Sequence, residues 1–138
     1  MAQQIEVRTR SHDELVDITD RVQQVVGRSG VQTGLCHVFV PHTTAGLTLN
    51  ENWDPAVRRD MLMALVRLVP WDDDYQHGEG NSAAHVKASL VGFSHTLLVE
   101  SGRLILGSWQ GIYLAEFDGP RRRRVLVRVS GENSLFAQ

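Results

Sequence analysis

The chain has 138 residues, of which 42% are hydrophobic and 22% charged, and carries a formal net charge of −2 from 14 basic and 16 acidic side chains. That length suits one domain with one hydrophobic core and falls well short of the roughly 250 residues of a (β/α)₈ barrel. The balanced charge argues against a nucleic-acid-binding protein, and no apolar run reaches the roughly 18 residues of a membrane helix.

The start Met1-Ala2-Gln3-Gln4-Ile5 lacks the basic and apolar blocks of a secretion signal. A lone cysteine, Cys36, sits in the apolar run Leu35–Val40, so no intrachain disulfide is available and a buried small hydrophobe is the plainer reading. A cytoplasmic protein with neither nucleic acid nor membrane as a partner is expected.

No linker, repeat or low-complexity tract divides residues 1–138, which read as a single domain. Ile5–Thr9 alternates apolar and polar residues, as a half-buried strand does. Leu15–Ile18 is a second short strand. Thr19 is placed to cap a helix running to about Arg28, with Val22, Val25 and Val26 inward and Gly30 as its stop. Gly34–Val40 reads as a buried strand ended by Pro41, and Leu47–Asn50 as a short one.

Asp54-Pro55 is a helix start, with an aspartate cap and proline at the first helical position. Val57, Met61, Leu65 and Leu68 then recur at helical spacing up to Pro70. Residues 70–81 are rich in turn formers. Asn81 or Ser82 opens a third helix to about Leu90, closed by Gly92. Val91–Val99, Leu104–Leu106, Ile112–Phe117 and Val125–Val129 supply the remaining strands. Helices and strands are interspersed without regular βαβ alternation, which favours α+β over a doubly wound sheet.

Position singles out three of the six histidines. His42 follows a strand end, His77 sits in the loop Tyr75–Asn81, and His85 falls in the first turn or so of the third helix. Neutral imidazoles bind zinc well, and three of them leave an open catalytic position. Equally, three separate histidines can each satisfy a local hydrogen bond, and the spacing is not that of a short dense motif. His12, His37 and His95 have the contexts of structural or surface groups.

Gly78-Glu79-Gly80-Asn81-Ser82 leads into a helix whose free N–H groups can receive an anion, although most such loops are only turns. In Arg121-Arg122-Arg123-Arg124, strand alternation aims at most half of the side chains at one site, and an inward guanidinium can grip a phosphate. Trp109 and Gln110, between glycines, can stack on and orient a ring, or can plug the core. Glu51 and Glu116 are candidate acids or bases, while Asp54 is better explained as a cap.

Four segments together resemble one family: Pro41–Leu47; Tyr75-Gln76-His77 leading to Asn81-Ser82-Ala83-Ala84-His85; Gly102 through Leu104-Ile105-Leu106-Gly107-Ser108-Trp109-Gln110; and Glu116–Arg123. In this order and spacing the chain resembles the YjbQ-like family, often labelled secondary thiamine-phosphate synthase, over almost its whole length.

The resemblance implies an α+β fold with a β-barrel-like mixed sheet flanked by helices, a homotrimer, and a small-molecule enzyme. It implies a divalent metal on His42, His77 and His85, with zinc the usual suggestion and magnesium the alternative. His42, Glu51 and Gln110 are then the catalytic candidates. Trp109, Arg121, Arg123 and Asn81 are the candidates for binding a phosphorylated substrate.

Thiamine-phosphate synthesis joins a pyrimidine pyrophosphate to a thiazole phosphate, and the dedicated enzymes resemble TIM barrels. In so short a chain that activity is expected as a side reaction of a site made for something else. The alternative is a non-catalytic module that holds a metal or a phosphometabolite. Trp53 departs from the small residue more usual at its place, so a cavity that it lines would have a different substrate preference.

Overall fold

Period-two burial builds the larger of two sheets. The computed structural model describes residues 2–132, so the end of the expected domain lies outside them. β1 (Gln3–Arg8) turns Ile5 and Val7 inward, and β3 (Gly34–Phe39) does the same with Cys36 and Val38. β5 (Ser94–Glu100) contributes Leu97 and Val99, and β8 (Arg122–Gly131) contributes Val125 and Val127. With β6 (Arg103–Leu104) they form a five-stranded sheet in the order β1-β8-β3-β5-β6.

β2 (Glu14–Asp17), β7 (Gln110–Glu116) and β4 (Ala45–Glu51) form a three-stranded sheet with β7 in the middle. Every pairing among the described strands is antiparallel. The fold is α+β as expected, and what is mixed in it is helix with strand rather than strand direction.

β7 explains how two cores share one chain. Ile112 and Leu114 join the core against the large sheet and α1 (Thr19–Ser29), together with Leu47, Val22 and Val26. The alternate residues Tyr113 and Ala115, followed by Phe117, join Leu15, Ala84 and Ala88 in a second core under the other two helices. Those are α2 (Pro55–Leu68) and α3 (Ser82–Val91). The small sheet is therefore covered on both faces, which accounts for the continuous burial of β7 from Gly111 to Glu116.

α2 starts as the sequence predicts, with Asp54 accepting the Ala56 N–H and Pro55 in the first turn. Its apolar stripe is weaker than expected. No residue of α2 is fully buried, Met61 and Leu65 pack partly on the second core, and Leu68 stays 70% exposed. Thr19 is the first residue of α1 rather than its cap. Asp17 Oδ1 accepts both the Thr19 N–H and the Thr19 hydroxyl, and that hydroxyl's oxygen accepts the Ile112 N–H. α3 packs closely on β4 because Gly46 has no side chain: a Cβ there would lie 2.6 Å from the Gly92 carbonyl oxygen. That contact holds the C-terminal end of α3 against β4.

Candidate functional site

Three segments converge at one end of the two sheets. The chain leaves β3 through Val40 and Pro41 and presents His42, Thr43 and Thr44. The loop before α3 contributes His77, Glu79 and Asn81, and α3 itself contributes His85. The start of β8 brings Arg121 and Arg123. Together these residues line a polar cavity of about 450 Å³. The His77 and His85 rings meet edge to face with centroids 5.5 Å apart, and Glu79 Oε1 lies 4.0 Å from His77 Nε2. Both rings thus reach the cavity from a loop and a helix that the intervening turn folds together.

His42 Nε2 accepts the Arg124 backbone N–H at 3.0 Å, so in the neutral ring the proton sits on Nδ1. Burial and the positive charges of Arg123 and Arg124 push its pKa below the ordinary 6.5, against a smaller opposing influence of Glu116. His42 is therefore a neutral donor through Nδ1.

Arg123 and Glu116 form a buried pair across the two sheets. Arg123 Nε donates to Glu116 Oε1 at 2.8 Å, and its Nη2 donates to Glu116 Oε2 and to the Thr44 hydroxyl. Burial alone would raise the Glu116 carboxyl. The bonds from Arg123, the Asp118 N–H and Thr9, with the charge of Arg123, outweigh it and hold the pKa below 4.5.

Asp118 plays the same part for the other cavity groups. Its Oδ2 accepts from Asn81 Nδ2 and from Arg121 Nη2, each at 2.9 Å. Here too burial would raise the pKa, and the bonds from Asn81 and Arg121 with the charges of Arg121 and His12 bring it below 3.8. Behind Asp118, His12 pairs with Asp13, which pairs with Lys87, a lysine of α3 only 2% exposed.

A family model described as UPF0047 protein YjbQ-like matches residues 3–132. The chain belongs to the YjbQ-like family. A UPF0047 protein of Methanocaldococcus jannaschii is 47% identical over 92% of this chain and 92% of its own length. The UPF0047 protein YugU of Bacillus subtilis is 46% identical over 95% of this chain and all of its own. The crystal structure of an uncharacterised YjbQ/UPF0047 protein from Clostridium acetobutylicum superposes with a TM-score of 0.91 at 51% identity, covering 93% of this chain and 99% of that one.

In this member of the YjbQ-like family the expected site residues divide into two groups. His42, His77, His85, Asn81, Arg121 and Arg123 share the cavity. Glu51, Trp109 and Gln110 do not: they lie at the opposite end of the small sheet. β4 pairs Ala45 with Glu116 at the cavity end and Glu51 with Gln110 at the far end, and six residue steps of strand separate those ends by about 20 Å. There Gln110 Oε1 accepts the Gly107 N–H, and Glu51 Oε2 accepts the Asp54 N–H. Trp109 packs edge-on against Trp53 at 6.0 Å, and both are exposed, so Trp53 does not line the histidine cavity.

The side chains as placed do not fit a three-histidine metal centre. His42 has Nε2 committed to the backbone, and among the described residues no three His, Cys, Asp or Glu side chains stand close enough to hold one ion. Arg123 is tied on two of its three nitrogens, so its role in the cavity is shared with fastening the sheets.

Sequence reasoning missed Asp118, Thr44 and Glu79 as parts of the site. Asp118-Gly119-Pro120 reads as a turn, and only the pairing of β8 with the rest of the sheet shows what its carboxylate holds.

Proposed function

We propose that this chain is an enzyme acting on a phosphorylated small molecule in the cavity lined by His42, His77, His85, Asn81, Arg121 and Arg123. The observation that carries this is the convergence of three histidines with two arginines and the start of α3 in one polar cavity. Arg121 and the uncapped N-terminus of α3 supply positive potential for phosphate oxygens. Nδ1–H of the neutral His42 adds a hydrogen bond without a charge. The His77–His85 pair, with ring centroids 5.5 Å apart at the cavity wall, is the acid–base element. Glu51 and Gln110 take no part in this scheme, and no step passes through a metal.

The first assay is thiamine-phosphate synthesis and the second is hydrolysis of simple phosphate esters, each with and without added zinc or magnesium. His85→Ala is expected to lower turnover at least about 100-fold, the usual worth of a positioned acid or base, with the fold retained by circular dichroism. Undiminished turnover in folded His85→Ala protein overturns the assignment.

One observation favours a second reading, a non-catalytic phosphometabolite-binding module. Glu79 stands 4.0 Å from His77, beyond a hydrogen bond, so among the described residues no carboxylate fixes that ring for proton transfer. Tight binding of a phosphate ester with no turnover of any assayed compound is the outcome that selects it.

A further inference from the structure

Asn81 is 94% buried by side chain and backbone together, with 6% exposure, and lines the cavity. It stands at the N-cap position of α3 yet makes no capping bond, because its amide nitrogen is drawn to Asp118 Oδ2. A carboxylate only accepts, and Asp118 already holds Arg121 on the same oxygen. The amide is thereby fixed: Nδ2 faces Asp118, and Oδ1 is turned the other way. Among the described residues Asn81 Oδ1 is the buried side-chain polar atom without a hydrogen-bond partner.

Leaving such an acceptor unpaired is costly, so a buried orphan at a cavity wall marks a place where a ligand supplies the missing donor. Its neighbours make a different demand. Arg121 and Arg123 are each paired with a carboxylate, Asp118 and Glu116, and it is their remaining N–H groups with the uncapped start of α3 that favour an anion. A fully deprotonated oxyanion meets the second demand and not the first.

We infer that the ligand of this cavity is a phosphate compound that also donates a hydrogen bond to Asn81 Oδ1, either through a proton kept on the phosphate or through a hydroxyl or amino group beside it. This rests on the phosphate-pocket function proposed above and narrows its substrate class. Asp118 is the positioning residue, since it sets which end of the Asn81 amide meets the ligand.

Four dianions separate the two demands at about pH 8, above the second pKa near 6 of a phosphate ester. Hydrogen phosphate carries one proton, sulfate and methyl phosphate carry none, and glycerol 3-phosphate carries hydroxyls. Their affinities for the full chain are measured by calorimetry in buffer containing a chelator.

Hydrogen phosphate is expected to bind about tenfold tighter than sulfate, or glycerol 3-phosphate about tenfold tighter than methyl phosphate, the scale of one buried hydrogen bond. The first pattern places the donor on the phosphate, the second on the organic part. In Asn81→Ala and Asn81→Ser the preference is expected to shrink while binding of sulfate persists.

Equal affinity for all four dianions in the wild-type chain overturns the inference and leaves the phosphate pocket standing, with water as the partner of Asn81. A preference that survives in folded Asn81→Ala overturns it as well. Failure of all four to bind overturns the pocket itself. The wild-type comparison decides the matter even where both variants fail to fold.

Discussion

His42 is committed at Nε2, and that commitment has a pH signature. Nε2 accepts the Arg124 N–H, and its pKa is held below 6.5 by burial and by Arg123 and Arg124. The unfolded chain therefore takes up a proton at His42 at a higher pH than the folded chain does. Stability rises with pH wherever the unfolded state binds more protons, so this residue costs stability as the pH falls from 6.5 toward the lowered folded value. Urea unfolding of wild type and His42→Gln at about pH 7.5 and 5.5 checks the sign: the wild type is expected to lose more stability than the variant across that interval. Nitrogen-15 spectra near neutral pH are expected to place the proton on Nδ1, and a signature of Nε2–H removes the tautomer assignment.

The Arg123–Glu116 pair carries a second prediction at this scale. Both side chains are buried, at 5% and 0% exposure, so removing one leaves the other charge without its partner. Glu116→Gln or Arg123→Met is expected to cost about 3–5 kcal/mol in denaturant unfolding, whereas replacing both by apolar residues together is expected to cost much less. A double variant that loses the sum of the two single losses would show that the pair is not coupled. Strand alternation predicts that at most half of the four arginines face one site, and the resemblance points to Arg121 and Arg123; of the four only Arg123 is buried. The sequence could not mark Glu116 as the partner, since β7 and β8 are joined there by a turn whose geometry decides which side chains meet.

Elements differ in how firmly they are held. Phe117 closes the second core with no exposed surface, and Phe117→Ala is expected to cost about 3–5 kcal/mol. Leu68 belongs to the apolar stripe that the sequence predicts for α2, yet it is exposed, and Leu68→Ala is expected to stay within about 0.5 kcal/mol. Thermal melts of the two variants test whether burial or helical periodicity is the better guide. A loss at Leu68 comparable to that at Phe117 means that α2 is covered in solution by something outside a single chain.

The periodicity of α2 was legible because it depends on spacing along the chain. Its thin burial was not, because that depends on how far the helix stands from the small sheet. The caps divide in the same way. Asp54-Pro55 works as read, being a local device, while Thr19 lost its cap role to Asp17 because a strand edge, Ile112, claims its hydroxyl.

At the scale of the whole molecule, most strands and all three helices were legible, and so was the grouping of His42, His77, His85, Asn81, Arg121 and Arg123, whose segments carry the family pattern. The separation of Glu51, Trp109 and Gln110 from them was not, because a strand puts seven consecutive residues along about 20 Å and only the β4–β7 register fixes which end meets the histidines.

The same register exposes a face that one chain does not cover. The outward residues of the large sheet pair as Leu35 with Leu98 and Phe39 with Leu126, around His37, Thr96 and Arg128. Phe39 and Leu98 are 45% and 57% exposed on central strands, where an antiparallel sheet with one solvated face would carry polar side chains. A homotrimer, which the family resemblance implies, would give this face a partner. Sedimentation velocity is expected to return about three times the 15.4 kDa chain mass, and Leu98→Glu together with Phe39→Lys is expected to lower it toward one chain. A wild-type chain that sediments as a monomer at micromolar concentration removes the trimer. A trimer that survives both substitutions moves its interface elsewhere, with exposed Leu68, Trp53 and Trp109 the next apolar ground to test.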